Sequence, residues 1–143
     1  MAHRASKHLR TAALALALAG AGSAQALDLT VEVVNPKAPQ GAILAALYAG
    51  ADGWLQANQA AAAQRVPAGD TTVLVFRNLR PGLHAISLFH DENGNGQMDT
   101  TVIGLPLERY GFSRDARANL GPPGFADAAV DLQADTTIRI TLQ

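Results

Sequence analysis

The sequence contains no cysteine among its 143 residues. Disulfide bonds, thiol chemistry and cysteine-based metal sites are therefore excluded. Aromatic residues are scarce, at 5% of the chain with a single tryptophan. The longest apolar run, residues 11–22, is too short to span a bilayer, and no later run approaches the necessary 18 or so residues.

Acidic side chains are absent before Asp28, and this N-terminal stretch has the pattern of a cleavable signal peptide. A basic head (residues 3–10) precedes the apolar run, and Ala24-Gln25-Ala26 supplies a small-x-small cleavage pattern. We therefore predict a signal peptide at residues 1–26 and one mature domain at residues 27–143, in the periplasm or secreted. No lipid anchor is expected, because no cysteine follows the cleavage point.

The predicted mature domain is acidic. The chain has 11 Lys and Arg against 12 Asp and Glu, and loss of Arg4, Lys7 and Arg10 leaves eight basic residues and a net charge of −4. Such a surface is poorly suited to nucleic acid or anionic lipid, and no membrane insertion is expected after signal cleavage. Without disulfides, a bound ion is one of the few cross-links available to an exported domain.

Short segments that alternate apolar and polar residues make up most of the mature domain. The predicted strands cover residues 27–34, 43–49, 71–76, 83–90, 128–132 and 136–142, with a brief further pairing at 100–104. Residues 52–64 contain Trp54 and an Ala-Gln run, which favour a short helical segment. Residues 105–113 are predicted to be irregular. We predict an all-β fold, a single antiparallel β-sandwich of about seven strands.

The stretch H-D-E-N-G-N-G-Q-M-D at residues 90–99 is the strongest indication of chemistry. Its oxygen-bearing side chains follow the spacing of the first half of an EF-hand calcium loop, and Gly96 stands at the sharp bend. Calcium takes six to eight hard oxygen ligands, which alternate residues of a tight loop can direct inward. The sequence predicts one structural calcium ion, held by Asp91, Asn93, Asn95, Asp99 and the Gln97 carbonyl.

A tight turn without metal is the alternative, because Asp, Asn and Gly also favour hairpin turns. Position 12 of the loop is Val102, so the bidentate glutamate of an EF-hand is missing, and no amphipathic helix flanks the loop. An EF-hand sensor is excluded. Glu108 is the candidate ligand from outside the loop, unless it is a solvated side chain paired with Arg109 or Arg114.

His90 is a candidate metal ligand or general base beside Asp91, with a structural hydrogen bond to the backbone as the alternative. His84 shares its strand face but lies about 20 Å away, too far to share an ion. Ser87 and Ser113 lie in no nucleophile motif. We therefore predict a protein that is not an enzyme, with a metal-dependent hydrolase as the alternative.

Tyr110 and Phe112 are candidates for a surface that contacts a cell-envelope protein or a glycan. Aromatic side chains of a small sandwich also serve in the core. Residues 110–113 therefore predict either an interaction module or ordinary packing.

Several motifs together resemble the uncharacterised bacterial family named domain of unknown function 2141 (DUF2141). They are L-R-P-G-L-H-A-I at 79–86, H-D-E-N-G-N-G with Asp99, G-L-P at 104–106, Glu108, Y-G-F-S at 110–113 and G-P-P at 121–123. The resemblance implies an exported β-sandwich of the immunoglobulin-like or prealbumin-like (transthyretin-like) type, similar to surface-protein B-repeats. Some of those repeats carry a similar calcium loop, and no activity is established for the family.

Overall fold

The computed structural model describes residues 25–34 and 40–143, so that most of the predicted signal peptide, residues 1–24, lies outside the described residues. Eight strands occur in the described part: β1 (Leu27–Val34), β2 (Ala42–Tyr48), β3 (Ala62–Pro67), β4 (Thr71–Leu79), β5 (Gly82–Asp91), β6 (Tyr110–Phe112), β7 (Val130–Leu132) and β8 (Thr136–Thr141). Two 3₁₀ turns (Ala57–Gln59 and Ser113–Asp115) and a one-turn helix, α1 (Phe125–Ala128), complete the regular structure described. None of the helices described is long and apolar enough to cross a membrane.

The strands form two sheets with the orders β4-β1-β8 and β3-β2-β5-β6, and β7 pairs with the beginning of β5. All pairings are antiparallel except that between β1 and β8, which is parallel. The predicted all-β, sandwich-like fold is confirmed.

Alternation along the strands builds the core between the sheets. Every second residue of β1 is buried, from Leu27 to Val33, and Ile86 and Leu88 of β5 belong to the same core. Each fully buried aliphatic side chain of this kind stabilises the fold by about 1.5–3 kcal/mol. Strand β5 passes through the middle of the second sheet and ends at Asp91, so the core fixes the position from which the 91–99 loop departs.

A second, smaller apolar cluster covers the other face of β5. It contains Ala85 and Phe112, and Trp54 packs against it at 6.1 Å between its ring and that of Phe112. Buried Ser113 joins the layers, because its Oγ accepts a bond from Ile86 N at 2.9 Å and donates one to Ala128 O at 2.5 Å. The segment after the loop is therefore held firmly against the sheet.

The structure differs from the sequence prediction in several segments. The strand predicted at 128–132 is shortened to β7, because Ala128 is the last residue of α1. Only residues 57–59 of the predicted helical segment are helical, in a 3₁₀ turn, and β3 begins at Ala62. The short, Ala-rich sequence of β3 shows little alternation of apolar and polar residues. Pairing with β2 therefore decides the conformation of β3. Residues 110–112, predicted to be irregular, form β6 because they pair with Ser87, Leu88 and Phe89 of β5.

Candidate metal centre

Asp91 is the last residue of β5 and is fully buried, with 0% of its surface exposed. Its Oδ1 accepts a hydrogen bond from Asn95 N at 3.1 Å and its Oδ2 accepts one from Gly96 N at 2.9 Å. Within the described residues no salt bridge joins Asp91 to a Lys or Arg. Because a buried carboxylate needs hydrogen bonds, a compensating charge or a metal ion, Asp91 is the centre of the candidate site.

The side chains of Asn93 and Asn95 both reach Asp99. Asn93 Nδ2 donates to Asp99 Oδ2 at 2.5 Å, and Asn95 Nδ2 donates to Asp99 Oδ1 at 2.9 Å. Asn93 Oδ1 accepts from Asn95 N at 3.1 Å, the same N–H that bonds to Asp91, so these two oxygens lie on one side of the loop. Asn95 Oδ1 accepts from Gln97 N at 2.9 Å. The structure thus brings the predicted side-chain ligands together in one loop.

Gly41 makes room for the root of this loop. Its φ is +77°, and a Cβ at this position would overlap the Asp91 carbonyl oxygen and lie 2.9 Å from the Glu92 Cα. The Gly41 carbonyl also accepts a bond from Ala68 N at 3.1 Å. Only a glycine allows the start of β2 to approach the end of β5 this closely.

Glu108, predicted as a ligand from outside the loop, does reach it and is buried, with 8% of its surface exposed. Its Oε1 accepts a hydrogen bond from Glu92 N at 3.0 Å, and its Oε2 accepts one from Asp99 N at 3.1 Å. These two amides stand near opposite ends of the loop. The carboxylate therefore braces the loop through its backbone, and within the described residues no salt bridge joins Glu108 to Arg109 or Arg114.

His90 is also buried, and its Nε2 contacts the Gln40 carbonyl. Since a carbonyl can only accept, Nε2 carries the hydrogen, and the ring ties the segment before β2 to the end of β5. His90 N donates to Arg109 O at 2.8 Å, and Nδ1 lies 3.8 Å from the Glu92 carboxylate. These contacts agree with the alternative in which His90 is a structural residue that is hydrogen-bonded to the backbone. His84 is buried separately, with its Nδ1 3.0 Å from Gly82 O.

The aromatic candidates lie in the second apolar cluster. Phe112 is buried, with 6% of its surface exposed, and Tyr110 is half-buried with its ring centroid 5.8 Å from that of Phe112. Residues 110–113 therefore pack mainly against the sheet and expose little aromatic surface to a partner. Burial raises the pKa of the neighbouring Tyr48 hydroxyl, which stays neutral at physiological pH.

A short hairpin at residues 100–107 follows the loop directly, where the sequence predicts a brief pairing at residues 100–104. It is closed by a bridge between Thr100 and Pro106, and Leu107 N donates to Asp99 O at 2.8 Å. Its aliphatic side chains point into solvent: Val102, Ile103, Leu105 and Leu107 are 105%, 77%, 57% and 66% exposed. The brief pairing predicted at residues 100–104 is thus reduced to a single bridge from Thr100, and residues 105–107, predicted to be irregular, form the returning arm.

The donor types of the loop fit a hard cation such as calcium. Asp91 and Asp99 supply carboxylates, Asn93 and Asn95 supply amide oxygens, and the exposed Gln97 supplies a backbone carbonyl. In the described part of the chain, no three His, Cys, Asp or Glu side chains gather as a metal site. Any metal held here therefore depends on amide and carbonyl oxygens, which calcium accepts readily and zinc does not.

The sequence of this chain matches a protein-family profile. The sequence profile described as "Uncharacterized protein conserved in bacteria (DUF2141)" matches residues 31–140. The chain belongs to this family. A search of curated proteins and a search of solved structures each gave no match. For this DUF2141 protein the match extends over β2 to β7 and includes the loop, the brace at Glu108 and the exposed hairpin.

Proposed function

We propose that this DUF2141 protein is an exported, non-enzymatic β-sandwich domain whose 91–99 loop binds one structural calcium ion. The observation that carries the proposal is the Asp91 carboxylate, fully buried and without a basic partner in the described residues. Two backbone N–H bonds lower the cost of burying this charge, and a bound cation would neutralise it.

The remaining donors support an ion at the same place. Asp99 is contacted by the amide nitrogens of Asn93 and Asn95, which occupy the side of the carboxylate where a cation would be attracted. The oxygen and nitrogen of a terminal amide exchange places by a half-turn of one torsion angle. Such a half-turn would present the amide oxygens to a cation and would replace the bonds that Asn93 Oδ1 and Asn95 Oδ1 now accept from Asn95 N and Gln97 N. Gly41 and Glu108 hold the root of the loop in place.

Two contacts support the absence of catalysis. The Ser113 hydroxyl is hydrogen-bonded to two backbone groups and is fully buried. The His90 Nε2 is directed at the Gln40 carbonyl. Neither side chain is arranged as a nucleophile with its base.

Calcium should raise the melting temperature of the protein. Calcium at about 100 times its Kd should add roughly 2.7 kcal/mol to the free energy of unfolding, if it binds only the folded state. For a domain of this size that corresponds to roughly 10 °C. Weak extracellular-type sites have Kd values of about 10⁻⁴ to 10⁻³ M, so the titration should extend to tens of millimolar. Magnesium should do much less, because it demands a tighter octahedron.

The variant that tests the site is Asp99→Asn, compared with Asp52→Asn at an exposed position outside the loop. Each protein is measured with calcium and with chelator, so that any baseline change in stability cancels. Asp99→Asn should lose most of the calcium-dependent shift, and Asp52→Asn should keep it. A wild-type melting temperature that ignores both calcium and chelator would show that the loop is only a turn.

Export is supported by the position of the first strand. Leu27 begins β1 and is buried, whereas Gln25 and Ala26 are exposed and precede regular structure. Cleavage after Ala26 would leave the whole sandwich intact. N-terminal sequencing of the exported protein should therefore begin within a residue or two of Leu27, and recovery of an uncleaved chain in the cytoplasm would refute export.

A further inference from the structure

We propose that Asn93 is a site of spontaneous covalent modification, at which the backbone nitrogen of Gly94 displaces ammonia from the side-chain amide and leaves a carboxylate in the loop. The reaction itself follows from the geometry of the loop. Its effect on calcium dependence rests on the proposed function of the same loop.

Two Asn-Gly pairs, Asn93-Gly94 and Asn95-Gly96, stand in the loop, and no other asparagine of the chain precedes a glycine. Asparagine is thermolabile because the backbone nitrogen of the next residue can attack its side-chain amide carbon. Glycine at the next position favours this attack, because it has no Cβ and its backbone rotates freely. All four residues are exposed, and open space surrounds the Cβ positions of both glycines. Both pairs are therefore accessible to water and to the attack.

Both asparagine side chains are folded back over the following glycine. Asn93 Oδ1 accepts from Asn95 N at 3.1 Å, and Asn95 Oδ1 accepts from Gln97 N at 2.9 Å. Each bond closes an Asx turn, a ring that contains the side-chain amide carbon and the nitrogen of the following glycine. Each donated N–H also points at the oxygen on which negative charge develops during the attack, which lowers the barrier. In these respects the two asparagines are alike.

The two pairs differ in the N–H group of the glycine. Gly96 N donates to Oδ2 of the fully buried Asp91 at 2.9 Å. Gly94 N has no hydrogen-bond partner among the described residues. The bond from Gly96 N to a charged acceptor must break before this nitrogen can attack, which slows the reaction by about tenfold or more. The reaction should therefore occur at Asn93 and be suppressed at Asn95.

The reaction consumes water and releases ammonia. Gly94 N forms a bond to Asn93 Cγ, the Cγ–Nδ2 bond breaks, and Nδ2 leaves as ammonia with the proton lost from Gly94 N. Water then opens the cyclic imide. Opening between Cγ and Gly94 N gives aspartate, and opening between the main-chain carbonyl carbon and Gly94 N gives isoaspartate. No oxidant or reductant takes part, and both products add a negative charge to the loop.

The new carboxylate would lie beside Asp99. Asn93 Nδ2 now donates to Asp99 Oδ2 at 2.5 Å, and the modification removes this donor. Two carboxylates in contact repel each other, and a bound cation offsets the repulsion. Calcium affinity also rises with the number of charged ligands. The modified loop should therefore be less stable than the original with chelator and should gain more stability from calcium.

Peptide mapping of the exported protein over time tests the site of reaction. The protein is incubated with chelator at neutral pH, folded in buffer and, in parallel, unfolded in guanidinium chloride. Fragment-ion mass spectrometry assigns the rise in mass to Asn93 or to Asn95. The unfolded chain should react at similar rates at the two positions, because both asparagines precede a glycine. In the folded protein Asn93 should react about tenfold or more faster than Asn95.

Two alanine variants separate obstruction of the attack from backbone strain. Gly94 and Gly96 share a φ of +76° and an open Cβ position, so alanine causes the same strain at both. Gly94→Ala should remove most of the reaction of the folded protein, because its methyl group obstructs the attacking nitrogen. Gly96→Ala should leave the reaction at Asn93 in place.

The variant Asn93→Asp reproduces the aspartate product. Its melting temperature should be lower than that of the unaltered protein with chelator, and its calcium-dependent rise should be larger. Asn58→Asp, at an exposed position outside the loop, adds the same charge and should change neither value.

The outcomes separate this inference from the calcium proposal. Equal rates at Asn93 and Asn95 in the folded protein, or a faster rate at Asn95, would overturn it. So would an unmodified Asn93 in folded protein after the unfolded chain has reacted completely. Selective reaction at Asn93 with melting temperatures that ignore calcium would refute the calcium site and leave the modification standing. A calcium-dependent melting shift without reaction at Asn93 would refute the modification alone.

Discussion

Gly41→Ala should lower the free energy of unfolding by about 2–5 kcal/mol, from left-handed backbone strain of about 1–2 kcal/mol and overpacking of about 1–3 kcal/mol. The φ of +77° disfavours any side chain, and the new methyl would press on the backbone of Asp91 and Glu92. Neither neighbour can move without disturbing the pairing of Ala42 with Asp91. Urea unfolding of the variant measures the loss.

Gly94→Ala is the matched control for this effect. Gly94 has a nearly identical φ of +76°, but open space surrounds the position of its Cβ. Its substitution should cost only the strain, about 1–2 kcal/mol. Gly41→Ala should also weaken the calcium-dependent melting shift, because it displaces Asp91. Equal losses of stability in the two variants would show that the close approach at Gly41 contributes nothing.

Glu108→Ala should lower the free energy of unfolding by about 3–6 kcal/mol, with calcium or with chelator. Hydrogen bonds to a charged group contribute about 1.5–3 kcal/mol each, and the backbone N–H groups of Glu92 and Asp99 would lose their acceptor. The loop ends would separate, so exchange of these two amides with solvent should accelerate. Urea unfolding and amide hydrogen exchange measure the two effects.

Two further variants make this test specific. Glu92→Ala keeps the backbone N–H that bonds to Glu108 and removes only an exposed carboxylate, so stability should change by about 0.5 kcal/mol or less. Glu108→Gln keeps the shape but turns one end of the side chain into a donor, which leaves one backbone N–H without an acceptor. It should fall between the two alanine variants. If Glu108→Ala is no more destabilising than Glu92→Ala, Glu108 does not brace the loop.

Much of the fold was predictable because strand alternation is a local property. The buried side chains of β1 and the two faces of β5 follow the period-two pattern directly. The exceptions are β3 and β6, which are short and poor in alternation and which form because a longer strand lies beside them. Their conformation comes from pairing with β2 and β5, which no local pattern of the sequence reports.

The candidate site, like the fold, has a part that local sequence predicts and a part that depends on tertiary contacts. By itself the sequence determined the all-β class, the family and the grouping of Asp91, Asn93, Asn95 and Asp99, because residues within one tight loop are brought together by the turn itself. It did not determine that Glu108 would bond to the amide of a residue 16 positions earlier, or that His90 would meet Gln40, 50 positions away. It also did not determine that the aliphatic residues after the loop would stay in solvent. Those contacts and that exposure are long-range consequences of how the two sheets pack, and only the tertiary structure decides which side chains the core has room to bury.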